Sequence, residues 1–81
     1  MLSIKVLGPG CVNCDNVEAI AKRVVAMLSV DATIAKVTDP AAWRKYGLLY
    51  TPGLVVNEKL VCAGRIPSEA EVTTWITSAL V

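Results

Sequence analysis

Residues 2–14 read Leu2-Ser3-Ile4-Lys5-Val6-Leu7-Gly8-Pro9-Gly10-Cys11-Val12-Asn13-Cys14. Leu2 to Leu7 is rich in branched apolar side chains and is expected to form a strand. Gly8-Pro9-Gly10 turns the chain, and a helical pattern begins at Cys11. Val17, Ile20, Ala21, Val24 and Leu28 recur at spacings that put them on one helix face. Ala19, Val25 and Met27 widen that apolar surface, so this helix is expected to be well covered. Asp15 and Glu18 lie near its start, where a helix favours negative charge, and Lys22 and Arg23 lie on the other side. The pair Cys11 and Cys14 therefore sits where a strand hands over to a helix.

Working outward, Ser29 to Asp31 break the helix and Ala32 to Val37 form a second strand. Thr38-Asp39-Pro40 starts a short helix, with Asp39 as cap and Pro40 in the first helical position; it ends at Gly47. Gly53 to Val56 form a third strand, Asn57-Glu58 a tight turn, and Lys59 to Ala63 a fourth strand antiparallel to the third. Gly64 ends it. Ser68 with Glu71 forms a capping-box pattern before a last helix, whose core face is Val72, Trp75, Ile76, Ala79 and Leu80. The order β-α-β-α-β-β-α implies a parallel first strand pair with a right-handed crossover. The fold class is α/β, a four-stranded mixed sheet with helices on both faces. No repeat, linker or low-complexity tract interrupts it, so residues 1–81 are expected to be one domain.

The chain has 81 residues, 54% hydrophobic and 19% charged, which excludes a disordered chain. Eight Lys and Arg against seven Asp and Glu leave a net charge of +1. That balance gives no electrostatic case for nucleic acid or for an anionic membrane. The apolar opening is stopped by Gly8-Pro9-Gly10, too soon for a signal peptide or a spanning helix. The three cysteines are an odd number, which is not the framework of a stapled secreted domain; the expected compartment is the cytoplasm.

Cysteines at i and i+3 on a helical turn lie within disulfide reach. A helix N-terminus favours thiolate over thiol and so lowers the pKa of a cysteine there. Cys11 is the better candidate for the attacking thiolate. Cys14, one turn inside, is expected to be less exposed and to resolve a mixed disulfide by attacking Cys11. The competing uses of such a pair are a zinc site and two chance core cysteines. Zinc wants four ligands, and the chain has no histidine and only the distant Cys62 to add. Cys62 reads as a small core residue, and Trp43 and Trp75 as core anchors. Pro52, from the residues alone, is an ordinary trans proline opening a strand.

These motifs resemble the thioredoxin superfamily and, within it, the small glutaredoxin-sized proteins called redox-active disulfide protein 2. The carriers are the run Ile4 to Cys14, then Tyr50-Thr51-Pro52-Gly53-Leu54-Val55-Val56-Asn57, and Val61-Cys62-Ala63-Gly64-Arg65. The resemblance covers essentially the whole chain. It implies a thioredoxin-like fold and a thiol–disulfide oxidoreductase with Cys11 and Cys14 catalytic. It implies a cis Thr51–Pro52 bond facing the pair, leaving the Thr51 main chain to bind an extended peptide or thiol. Val12, Asn13, Thr51, Pro52, Gly64 and Arg65 are then the candidate substrate-binding residues. Val12-Asn13 replaces the Gly-Pro of thioredoxins and the Pro-Tyr of many glutaredoxins. Lys5 stands in the region where thioredoxins bury a carboxylate. Gly64-Arg65-Ile66-Pro67-Ser68-Glu69 stands where glutaredoxins hold glutathione, with Gly64, Arg65 and Ser68 as candidates to meet a carboxylate at a helix N-terminus; the match is partial.

The implied partners are a disulfide-containing protein substrate and an electron-donating reductase, with no cofactor and no resident metal, in a monomer. The alternative is a thiolate carrier of a soft metal or metalloid on the same fold. Copper chaperones also place C-x-x-C at a strand-to-helix junction, but in a β-α-β-β-α-β order that ends in a strand. A docking module whose cysteine pair has lost its ancestral role is the third reading.

Overall fold

A computed structural model describes residues 2–10 and 12–80; Cys11, where the helical pattern was expected to begin, lies outside them. The elements are β1 (Leu2–Leu7), α1 (Val12–Leu28), β2 (Ala32–Val37), α2 (Pro40–Lys45), β3 (Gly53–Val56), β4 (Lys59–Ala63) and α3 (Glu69–Ala79). They form one four-stranded sheet in the order β2-β1-β3-β4. β1 pairs parallel to β2 and antiparallel to β3, and β3 pairs antiparallel to β4. This is the mixed α/β architecture that the hydrophobic pattern implies.

Alternation along β1 sorts the two faces. Leu2, Ile4 and Val6 pack with Cys14, Val17, Ala21 and Val24 of α1 and with Val72 and Ile76 of α3. Leu7 points the other way, with Val55, Leu48 and the half-buried Val37, Trp43, Tyr46 and Leu60 under α2. Two long helices thus cover one face and a six-residue helix covers part of the other. A bulge in β4 serves this division. Leu54 opposes Cys62 but Val55 opposes Leu60, so Val61 is extra. Val61 and Cys62 then both pack on the α1/α3 side while Leu60 stays on the α2 side.

The turns follow local chemistry. Asn57 and Glu58 both take positive φ, 50° and 67°, as a two-residue hairpin turn of the I′ kind demands. Asn57 also ties the turn to β1, its side chain accepting from the Ser3 N–H at 2.9 Å and its own N–H donating to the Ser3 carbonyl at 2.7 Å. Asp39 caps α2 by accepting from the Ala41 N–H at 3.0 Å, with Pro40 opening the helix. The Trp43 indole N–H donates to the Val37 carbonyl at 2.7 Å, which pins α2 to the end of β2.

The structure corrects the expected extent of helix burial. Met27, Leu28 and Leu80 are exposed, as is Ala19, and Val25 is half-buried. Leu80 lies beyond the last turn of α3, as its C-cap.

Candidate active site

The sheet register builds the site. Leu7 opposes Gly53, and Gly53 opposes Ala63. The residues that next leave the sheet at that end are Gly8, Pro52 and Gly64. All three are brought together there. The Gly8 N–H donates to the Val37 carbonyl at 3.1 Å, continuing the β1–β2 ladder by one residue. The Gly64 N–H donates to the Pro52 carbonyl at 2.9 Å. The Thr51–Pro52 peptide bond is cis, as the resemblance implies and as the residues alone would not suggest.

Cys14 projects from the first turn of α1 back onto Gly8. Its side chain is 1% exposed. A Cβ built on Gly8 would collide with Cys14 Sγ, and it would lie 3.4 Å from Cys14 Cβ and 3.8 Å from Thr51 Cβ. Gly8 is therefore the gap into which the sulfur fits, and Thr51 borders the same gap. The sequence marked Gly8 only as part of a turn; nothing in its spacing tells that it abuts a cysteine six positions on. Gly64 has a related role. Its φ is +76°, and a Cβ there would lie 3.1 Å from Tyr50 Cβ, so glycine both turns the chain and lets the Tyr50–Pro52 segment approach.

Of the sequence-expected residues, Cys14, Thr51, Pro52 and Gly64 thus share one end of the sheet, and Val12 and Asn13 lie on the α1 turn that carries Cys14. Cys11 lies outside the described residues. Thr51 is half-buried, and no main-chain hydrogen bond joins it to another described residue. Exposed apolar side chains lie on the neighbouring segments: Leu49 at 84% and Tyr50 at 72% just before Thr51, Val12 at 74% at the start of α1, and Ile66 at 41% two residues after Gly64. Leu49, Tyr50 and Ile66 are not among the sequence-expected site residues, although Tyr50 lies in a run that carries the resemblance and Ile66 in the stretch that stands where glutaredoxins hold glutathione.

The charges are committed elsewhere. Arg65 forms a two-pronged pair with Glu71, NH1 to Oε1 at 2.9 Å and NH2 to Oε2 at 2.6 Å. Glu71 closes the capping box too, accepting from the Ser68 N–H at 3.1 Å while the Ser68 hydroxyl accepts from the Glu71 N–H at 3.1 Å. The Arg65 bond, followed by the Ser68 backbone, holds the Glu71 carboxyl at about 2. On the other flank Lys36 meets Asp15 at 2.6 Å and Glu18 at 3.6 Å, and the Asp15 bond raises its pKa. Lys5 is on the opposite face of the sheet from Cys14. There its ammonium bonds Glu58 at 2.6 Å and the Tyr46 hydroxyl at 2.9 Å. Cys62 is buried, its sulfur 3.7 Å from the Arg65 carbonyl. Burial pushes its thiol pKa up, opposed by nearby Arg65.

Among the described residues no group of three or more His, Cys, Asp or Glu could hold a metal ion, and no helix is long and apolar enough to cross a membrane.

Comparison with known proteins agrees with this fold. The chain is 35% identical over 72 residues to a protein named thioredoxin from Methanothermobacter thermautotrophicus, covering 89% of this chain and 94% of that one. It is also 35% identical over 80 residues to a protein named thioredoxin from Methanocaldococcus jannaschii, covering 99% of this chain and 92% of the relative. The thioredoxin domain family matches residues 2–77. With a match across nearly all of its length, the chain belongs to the thioredoxin domain family.

Proposed function

We propose that this chain is a small thiol–disulfide oxidoreductase that reduces polypeptide disulfides through Cys11 and Cys14. The observation that carries the reading is the seat of Cys14, a buried sulfur in the gap left by Gly8 and beside the cis Thr51–Pro52 turn. The names of the two relatives support the same chemistry.

Cys11, the first member of the pair in the sequence, attacks one sulfur of a substrate disulfide as a thiolate, favoured by the helix N-terminus. A mixed disulfide forms and one substrate thiolate leaves. Cys14 then attacks Cys11 Sγ, the second substrate thiol leaves, and a Cys11–Cys14 disulfide remains. The substrate gains two electrons and two protons, and the pair loses them. A separate reductase returns both. A buried resolving sulfur keeps out competing thiols, and its place three residues on in the same chain makes resolution intramolecular.

The main chain of Thr51 is available to pair with an extended substrate segment, as a strand added beside a turn. Val12, Asn13, Pro52 and Gly64 border that segment, and Leu49, Tyr50 and Ile66 give it an apolar bed. We place this one-domain, monomeric protein in the cytoplasm, where a reductase can keep the pair reduced.

The test is a thiol count by alkylation and mass across a series of thiol/disulfide buffers, with trapping by Cys14→Ser. Two thiols should disappear together at one potential. Cys62 should stay reduced, since its burial disfavours the thiolate. Cys14→Ser should accumulate a mixed disulfide through Cys11. Trapping through Cys14 in a Cys11→Ser protein would invert the two roles. If no internal disulfide forms under strong oxidation, the oxidoreductase reading fails and thiolate binding of a soft metal replaces it.

A further inference from the structure

Leu49, Tyr50, Thr51 and Pro52 form a loop whose two ends touch. Leu48 leads into it, and Gly53 leaves it as the first residue of β3. A Cβ built on Gly53 would lie 2.6 Å from Leu48 Cδ1, 3.2 Å from Cδ2 and 3.5 Å from Cγ. Gly53 has no positive φ, so backbone freedom is not what glycine supplies here. It supplies a seat for the Leu48 side chain. Both sides of this contact are anchored. Leu48 is buried with Leu7 and Val55, and its N–H donates to the Trp43 carbonyl of α2 at 3.1 Å. Gly53 is held in the sheet between Leu7 and Ala63. The loop tip has far less to hold it. Leu49 and Tyr50 are exposed, and Thr51 makes no main-chain hydrogen bond to another described residue.

We infer that Leu48 is a positioning residue for a polypeptide substrate: seated on Gly53, it closes the base of the 49–52 loop and sets Leu49, Tyr50 and the Thr51 main chain where an extended disulfide-bearing segment meets them. The inference rests on the oxidoreductase reading above. A short loop with few contacts of its own takes its aim from its closed ends. Moving Leu48 off its seat turns Leu49, Tyr50 and Thr51, while Pro52 stays in place through its carbonyl on the Gly64 N–H at 2.9 Å. The effect is therefore confined to substrates large enough to reach the loop tip. A small disulfide covers neither Leu49 nor Tyr50 and does not register it.

The experiment compares two probes of one reaction. Pre-reduced protein is mixed with rising concentrations of insulin, a polypeptide disulfide, or of hydroxyethyl disulfide, a small one. The reaction is quenched, alkylated and weighed. In each case the dithiol is oxidised to the disulfide and one probe disulfide is reduced to two thiols, so electrons and protons balance. Gly53→Ala puts a methyl group into the space of the Leu48 side chain and pushes it off the seat. The half-saturating insulin concentration should rise about three- to tenfold, with the limiting rate and the hydroxyethyl disulfide rate changed less than about twofold. Leu48→Val alone leaves the seat partly empty and should raise it about two- to threefold. Combining the two changes makes room for the new methyl group and should bring the value back to within about twofold of the native protein. Circular dichroism confirms that each variant is folded, and the Leu48→Val arm stands even where Gly53→Ala does not fold. A merely structural role would lower Tm and leave half-saturation unmoved. Half-saturation unchanged in both single variants, equal losses on the two probes, or losses that add in the double variant each overturn the inference while leaving the oxidoreductase reading intact. Failure of both probes to oxidise the native pair overturns that reading and the inference with it.

Discussion

At the scale of single residues, the site depends on a missing side chain. Cys14 Sγ occupies the space that a Cβ on Gly8 would need, with Cys14 Cβ 3.4 Å behind it. The sulfur is buried on all sides, so it cannot swing clear as a surface side chain would. Gly8→Ala should therefore destabilise the fold by about 1–3 kcal/mol, the usual cost of overpacking a core, read as a lower urea midpoint. In a Cys14→Ala background the same change should cost less than about 1 kcal/mol, since the colliding atom is gone. The double-mutant cycle checks this, and simple additivity would sink the account. This contact also marks a limit of sequence reading. The strand, the turn and the helix that carry Gly8 and Cys14 were each legible from spacing and residue type. That the two touch is a consequence of how α1 docks on the sheet, and no local pattern encodes it. Pro52 is similar: its residue type allows either isomer, and only the family likeness pointed to cis.

At the scale of elements, the ends of helices were legible because caps are local chemistry. Asp39-Pro40 and the Ser68/Glu71 box stand where the sequence places them. The covering of the helices was less so, because Met27, Leu28 and Leu80 satisfy the 3.6-residue period yet stay exposed at the helix ends. The α3 cap gives two predictions. Ser68→Ala should cost about 1 kcal/mol, a fall in Tm of about 4–8 °C for a chain of this length. The second is a pH dependence. Arg65 and the Ser68 backbone depress the Glu71 carboxyl to about 2, below its value in the unfolded chain. A depressed carboxylate stabilises the folded state above the ordinary carboxylate range, and that stability is lost as pH falls toward 2. The Tm of the native protein should thus exceed that of Glu71→Gln at neutral pH, and the gap should close between about pH 4.5 and pH 2. A gap that does not change with pH would show that Arg65 contributes by packing and not by charge.

At the scale of the whole molecule, the two faces of the sheet are unequal. The α1/α3 face holds most of the buried apolar side chains, and α2 covers a smaller cluster around Leu7, Leu48 and Val55. Ile76→Ala in the larger core should cost about 2–5 kcal/mol, a large share of the stability of so short a chain. The site lies at one end of the sheet, and its surroundings divide by polarity. Arg65 and Lys36 are neutralised by their own neighbours, and Leu49 and Tyr50 stand out at 84% and 72% exposure. If these two side chains form the bed for a polypeptide substrate, their contribution appears only when the substrate is large enough to cover them. Burial of each gives up to about 1.5–3 kcal/mol of gross hydrophobic gain, of which association returns only the surplus. Leu49→Ser with Tyr50→Ser should accordingly raise KM for a polypeptide disulfide about three- to tenfold with little change in kcat, the pattern of lost uniform binding. The rate with hydroxyethyl disulfide, which covers neither side chain, should fall far less. Steady-state kinetics on both substrates separates the cases: an equal loss on the two would mean that the substitutions disturb the Thr51–Pro52 turn and that substrate is bound elsewhere.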